Sequence, residues 1–281
     1  MFHVGKFDPS GFTVPHGYEG DSRGYERVAL IDHRVGSVHM GAGIGRLQPQ
    51  GQVGARIHAN EKGIYILEGE LEIKRGGVVF RLCADEYVLF PYGMSHALRN
   101  SGDKAALWFE MQAPQPKAPG GWQDTFLVDD NAWPAQVSAP DFGNSDTKMV
   151  GHFVPHKPIV NLGDGVSGLK VYRFMEREFG AGQFFMMRGE LSPGGFRSTH
   201  DHSVEEIYFA LSGETFMDIE GRRFHLRPGD VAWTGVGASH AFYHTGVAPF
   251  RWLETQAPQF PAKHGTRDYA DWDKLRASGI S

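Results

Sequence analysis

Residues 194–214 read GGFRSTHDHSVEEIYFALSGE. Two histidines stand one residue apart, His200 and His202, with Glu206 four positions later and Gly213 closing a turn. Side chains of a strand alternate between faces, so His200 and His202 point to one side and Asp201 to the other. Glu206 returns to the histidine face if the strand continues or the loop is compact. A second segment, 229–240, reads GDVAWTGVGASH and ends on His240. A turn and a hairpin separate it from the first three, so His240 must arrive on a different strand. Three imidazoles and a carboxylate are a donor set for a divalent transition metal. Four such ligands leave places open on a six-coordinate ion, which suits Fe or Mn chemistry better than a closed structural zinc.

The stretch has a counterpart upstream. Trp108, Glu110 and the run Gln112-Ala113-Pro114-Gln115 recur as Trp252, Glu254 and Gln256-Ala257-Pro258-Gln259, 144 positions later. The same offset carries Gly69-Glu70 onto Gly213-Glu214, and Ser95-His96-Ala97 onto Ser239-His240-Ala241. It also carries Leu47, Pro49 and Gly51 onto Leu191, Pro193 and Gly195. Further upstream, Val4-Gly5 and Phe7 echo Val150-Gly151 and Phe153 at an offset of 146. A constant offset means no net insertion across the core of the unit, and two homologous domains follow. The expected division is 1–117, a linker over 118–147, and 148–281. The linker is rich in Gly, Pro, Asp and Asn, and its Trp122, Phe126, Leu127 and Trp133 predict that it packs against the domains. The tail DYADWDKLRASG predicts one short helix.

Within each copy, runs such as Glu206–Leu211, Thr215–Ile219 and Gly229–Thr234 are short, aromatic or β-branched, and bounded by Gly, Pro or Asp. Residues 70–82 predict a hairpin turning at Gly76-Gly77, matched by one near Glu220-Gly221. The 37 glycines and 16 prolines fit many turns and few long helices. The fold class is therefore all-β, as a sandwich or barrel. A hydrophobic content of 41% is enough for a packed core. The formal charge of −5 and the lack of a basic run argue against nucleic acid as a partner. No run approaches the ~18 apolar residues of a membrane span, and the start has no apolar signal core, so a cytoplasmic protein without membrane contact is expected. Cys83 is the only cysteine, which excludes an internal disulfide, and its apolar context FRLCA predicts an inert buried thiol.

These residues resemble the cupin family. Its first motif, G-x5-H-x-H-x3-E-x6-G, is met by Gly194, His200, His202, Glu206 and Gly213. Its second, G-x5-P-x-G-x2-H-x3-N, is met by Gly229, Gly237 and His240, with Gly235 and His244 in the Pro and Asn places. The resemblance covers both repeats and implies two tandem jelly-roll β-barrels. It implies one metal in the second barrel, Fe2+ or Mn2+ first and Ni2+ or Zn2+ next, held by His200, His202, Glu206 and His240. It further implies a metal-dependent enzyme acting on a small organic acid, phenol or keto-enol, with a dioxygenase (an oxidoreductase) leading. An isomerase, decarboxylase or lyase on the same site, or a non-catalytic binding or storage bicupin, are the alternatives. Ureidoglycine aminohydrolases are also bicupins, but their ligand set differs from His200, Glu206 and His240. Glu206 is the one carboxylate ligand and the candidate catalytic base. Pairing through jelly-roll edges makes a homodimer the expected assembly.

The first copy keeps the second motif through Pro91, Gly93, His96 and Asn100, although Asp85 stands where Gly is expected. Its first motif is broken: Arg56 answers to His200, His58 to His202 and Lys62 to Glu206. Two cations in place of two ligands would repel a metal. Three readings stand open: a barrel kept for packing, a weak site rescued by Glu61 one position off, and an anion pocket of Arg56, Lys62, His58 and His96. Arg188, Tyr208, Trp233, Phe242 and Trp252 are the candidate substrate contacts, with Arg188 placed to orient a carboxylate. His16, His33, His39 and His152 read as surface or edge residues, while the facing of His225 and His244 is open.

Overall fold

The alternating runs become strands, and the glycine-bearing breaks between them become turns. This computed structural model describes residues 1–118, 120, 123–130, 132–140, 142, 149–155, 158–160, 163–259 and 266–268. The first half holds β1 (Phe2–Lys6), β2 (Ser22–Ile31), β3 (Gly41–His58), β4 (Glu61–Glu68) and β5 (Glu70–Arg75). After these come β6 (Val78–Cys83), β7 (Glu86–Phe90), β8 (His96–Arg99), β9 (Ala106–Ala113) and β10 (Thr125–Leu127). The second half begins with β11 (Val150–His152), β12 (Val166–Met175), β13 (Phe185–His202), β14 (Glu205–Ser212) and β15 (Thr215–Ile219). It closes with β16 (Arg222–Leu226), β17 (Asp230–Thr234), β18 (His240–Tyr243), β19 (Phe250–Ala257) and β20 (Thr266–Asp268). The expected C-terminal helix and Trp122 lie outside the described residues.

The strands form two curled sheets of ten, one for each repeat. The first runs β11-β7-β4-β9-β3-β8-β5-β6 and the second β1-β17-β14-β19-β13-β18-β15-β16. The 18-residue strands β3 and β13 bend through both layers, and β13 pairs in turn with β19, β12, β18 and β20. Both predicted hairpin turns are present. Gly76 and Gly77 have φ of 57° and 80°, and Glu220 and Gly221 have 51° and 75°, the left-handed pair that a two-residue turn requires. Gly189 lies under the Trp252 ring, where an added Cβ would come within 2.1 Å of it. Gly45 and Trp108 repeat that contact.

The sheets do not follow the expected domain boundaries. β1 pairs with β17 of the second sheet, with Val4 opposite Ala232, and β11 pairs with β7 of the first, with Val150 opposite Val88. Each repeat thus gives its opening strand to the other and covers the other's sheet edge. β10, within the expected linker, pairs with β3. Lys74 anchors the linker through Asp130 at 2.6 Å, and Arg99 stacks over Trp133 at 4.3 Å, while Phe126 and Leu127 are exposed. Cys83 is also exposed, at the end of the edge strand β6, which corrects the reading of a buried thiol.

A third apolar cluster joins the barrels and includes Phe109, Met111, Phe184, Phe209 and Leu253. The rings of Phe109 and Phe209 lie 5.5 Å apart. Two buried glutamates clasp this interface. Glu205 accepts from Val38 N (2.8 Å), His39 N (3.2 Å) and the Ser37 hydroxyl (2.6 Å). Glu61, its counterpart at offset 144, accepts from Gly182 N (2.9 Å) and Gln183 N (2.8 Å). Glu61 is therefore turned to the other barrel, and the reading of it as a rescuing metal ligand is overturned. The last Gln of each QAPQ run joins the same clasp, Gln115 to Ser37 O and Gln259 to Ala181 O. Hydrogen bonds to a charged group contribute about 1.5–3 kcal/mol each, and buried donors left unmet cost more. Glu205→Ala should therefore lower unfolding free energy in urea by about 3 kcal/mol, without a change in metal content.

Candidate metal centre

His200 and His202 sit on β13 beside a register shift at 197–200, a bulge that turns the strand toward the barrel interior. His240 opens β18 directly opposite His200. Ligand atoms of the three imidazoles lie within 4.8 Å of one another. Glu206, on β14, approaches two of them: Oε1 is 3.1 Å from His202 Nε2 and Oε2 is 3.0 Å from His240 Nε2. His200, Glu206 and His240 are buried, and His202 is nearly so.

The surroundings fix how these groups are presented. His200 Nδ1 lies 2.8 Å from Ser198 O and His240 Nδ1 lies 2.9 Å from Ala238 O. Each carbonyl is placed to accept a hydrogen bond from Nδ1–H, which turns Nε2 inward as the atom a metal would take. His240 Nε2 stands 3.0 Å from a carboxylate oxygen of Glu206, which raises the imidazole despite its burial; a proton or a metal cation between the two groups satisfies both. Burial, together with neighbouring His240, Arg197 and His202, pushes His200 well below its ordinary value and keeps it neutral. Burial alone would raise Glu206, but His202 and His240 outweigh it and hold the carboxyl down. Tyr208 OH donates to Glu206 Oε2 (2.9 Å), and Gln256 Nε2 donates to Glu206 Oε1 (2.7 Å). The donor set fits a divalent transition ion.

A cavity of about 220 Å³ opens onto His200 and His202. Tyr208, Phe242 and Trp252 are on its wall, where Phe242 and Trp252 stack at 5.5 Å. Two of the expected substrate contacts are elsewhere. Arg188 reaches the first barrel, at 3.0 Å from Asp85 and 3.2 Å from the Tyr65 hydroxyl, because its strand face looks between the barrels. Trp233 is in the interface core with its indole 3.4 Å from Glu205. Arg173, Arg197, Glu254 and Gln256 line the cavity instead. Glu254 and Gln256 were visible only as members of a repeat. His244 is buried and bonds Ala248 O, holding the same turn that Asn100 holds in the first copy through Lys104 O. His225 is exposed beside Glu214. His16, His33 and His152 are exposed and His39 is partly buried.

In the first barrel the equivalent positions form an ion network. Lys62 lies 3.0 Å from Glu110, and Arg27 adds a second cation at 2.5 Å. Arg56 pairs with Asp21 and stacks on Tyr18 at 3.6 Å. Both cations of the expected anion pocket are thus already matched by carboxylates. Burial and Lys62 drive His96 down to about 3. Burial would raise Glu110, yet Lys62 and Arg27 outweigh it and bring it to about 2.

With the geometry in place, comparison with known proteins fixes the class. The family description Cupin domain matches residues 43–111 and again 187–255. The chain is a two-domain cupin. Polyketide synthase CurC of Streptomyces cyaneus is 32% identical over 101 residues, covering 35% of this chain and 66% of that protein. The oxalate-binding protein of Thermotoga maritima is 36% identical over 67 residues, covering 24% and 55%. The matches thus span about two thirds and just over half of those relatives. Among solved structures, salicylate 1,2-dioxygenase of Pseudoaminobacter salicylatoxidans superposes with a TM-score of 0.71 at 15% identity, covering 92% of this chain and 81% of that one. Oxalate decarboxylase of Lactobacillus farciminis gives 0.68 at 14%, covering 99% and 93%. At such identities these structures establish the shared fold.

Two outcomes follow from the contrast between barrels. Elemental analysis should find about one transition metal per chain, lost in His200→Ala and in His240→Ala; metal retained in both would overturn the assignment. Glu110 is held below its unfolded value near 4.5, so its ion pairs contribute fully above that pH and fade as pH falls toward 2. Lys62→Met should cost about 3–5 kcal/mol in urea unfolding at neutral pH, and should move the acid-unfolding midpoint to higher pH.

Proposed function

We propose that the chain is a metal-dependent enzyme of the dioxygenase type, acting in its second barrel on a small organic acid, phenol or keto-enol. The observation that carries this is the clustering of His200, His202, His240 and Glu206 beside a cavity of about 220 Å³ that His200 and His202 line together with aromatic walls. That volume takes one ring or a short acid. His200, His202, His240 and Glu206 would hold Fe2+ or Mn2+, with Ni2+ or Zn2+ compatible with the same donors. When bound, such an ion supplies Lewis-acid polarisation of a substrate oxygen and, as iron, redox chemistry with O₂. The chain's own residues do the positioning. Phe242 and Trp252 stack to flank a flat ligand and exclude water, and Arg173 and Arg197 offer positive charge to an acid group. Tyr208 and Gln256 hold Glu206 in place by hydrogen bonds.

A second reading, an isomerase, decarboxylase or lyase, is favoured by one contact. The Tyr208 hydroxyl lies 2.9 Å from Glu206 and 3.0 Å from His240, a proton-bearing group beside the site. A non-catalytic binder is the remaining alternative. The relatives divide the same way, since they include a dioxygenase, a decarboxylase and an oxalate-binding protein. Homodimer formation and a cytoplasmic location belong to this reading; no helix among the described residues is long and apolar enough to cross a membrane. Oxygen uptake by Fe2+-loaded protein against keto acids, diketones and catechols is the test. Substrate-dependent O₂ consumption is expected. Product formed without it selects the second reading, and a co-purified ligand without turnover selects the binder.

A further inference from the structure

Glu110 and Glu254 occupy equivalent places on β9 and β19, and each takes an indole N–H at 2.9 Å, from Trp108 and Trp252. Glu110 also holds two cations, Arg27 and Lys62. At the same offset the second repeat has Val171 and Glu206. Glu254 has thus lost one cation to a hydrocarbon and the other to a carboxylate. Among the described residues its hydrogen bonds come from Trp252 and Gln256, and no lysine or arginine pairs with it. It is only 5% exposed, yet it lines the cavity beside the metal centre.

We propose that Glu254 is a specificity-determining residue that hydrogen-bonds a hydroxyl of the ligand in the second barrel. Hydroxylated molecules are then taken in preference to their deoxy counterparts. This rests on the ligand-binding reading of the site given above. A buried carboxyl with two neutral donors and no paired cation is further stabilised by a proton or by another donor. A hydroxyl satisfies both forms, since it donates to a carboxylate and accepts from a carboxylic acid. A methyl satisfies neither, and a second carboxylate would repel the ionised form. Burial and the charge of Glu206 both push Glu254 up, in agreement with a missing cation.

The position is also fixed relative to the metal ligands. Gln256 Nε2 donates to Glu206 and to Glu254 at once, so one amide nitrogen spans the two carboxyls. A ligand that meets the His200 cluster through one oxygen therefore presents a neighbouring substituent to Glu254. Tyr208 and His240 stand on the Glu206 side, and Arg173 and Arg197 share the cavity wall. In that setting a donor–acceptor group on the ligand completes a carboxyl that the described residues leave without a cation.

The experiment uses full-length Zn2+-loaded protein and ligand-observed NMR titration of matched pairs: 2-hydroxybenzoate against benzoate, catechol against phenol, and 2-hydroxybutanoate against butanoate. Wild type should bind the hydroxylated member at least about tenfold more tightly, as one hydrogen bond to a charged group implies. Glu254→Leu should bring each pair within about twofold, whereas Glu254→Gln, whose amide donates and accepts, should keep much of the preference. Val171→Arg tests the same point without altering Glu254, because it restores the first barrel's cation and should abolish the preference. Metal content should stay the same in all four proteins. No preference in wild type, or a preference surviving in both Glu254→Leu and Val171→Arg, overturns the proposal, as does loss of metal in Glu254→Leu. If wild type binds no member of any pair, the ligand-binding reading fails first, and that failure is visible before any variant is compared.

Discussion

Charge matching inside a dry barrel is the constraint on which both halves of this protein depend. Each repeat buries a glutamate on its last long strand, and neither can leave that charge unanswered. The first barrel answers with Arg27 and Lys62 from its own chain. The second replaces those residues with Val171 and Glu206 and brings three imidazoles close by. One repeat has thus internalised its counter-charges, and the other gathers three imidazoles and a carboxylate at the equivalent place. The same strand order and the same turns carry both solutions.

The clasp between barrels follows the same rule by other means. Glu61 and Glu205 are buried carboxylates satisfied by backbone N–H groups and, for Glu205, a hydroxyl. Backbone donors survive any point substitution other than to proline in the loops that supply them, so the interface tolerates most changes there. Both acids immediately precede the position that differs most between repeats, Lys62 and Glu206. Alternation along the strand sends one residue to the interface and the next to the barrel interior. Joining and chemistry are therefore set on opposite faces of the same few residues.

Much of this was legible in the chain itself. The offset of 144 announced two like sheets, and the His-x-His-x3-Glu spacing named residues that the fold does gather. Glycine pairs marked both hairpin turns. What stayed hidden was long-range. Glu61 and Glu205 find their partners more than 120 residues away, and no local pattern signals a loop from the other repeat. Arg188 has the right strand parity for an inward residue, but a sheet sandwiched between two cores has two buried faces, and parity cannot tell them apart. Cys83 sits among apolar neighbours on an edge strand, where hydrophobic context does not imply cover. Glu254 was legible only as a repeat element, since its meaning lies in Val171 and Glu206 standing where its counterpart Glu110 has Arg27 and Lys62.

The reciprocal gift of β1 and β11 has a consequence for how the chain comes into being. As synthesis proceeds, the first barrel cannot close its edge until Val150–His152 emerges, long after its own strands are complete. The segment Phe2–Lys6 meanwhile waits for Asp230–Thr234, more than 220 positions downstream. Each half therefore lacks one edge strand until the other is present, so a first domain formed ahead of the second has that edge open. Contacts of such sequence separation also slow folding, because the connecting chain must be ordered before they form. The arrangement ties the two halves together, since the second barrel borrows its outermost strand from the first repeat.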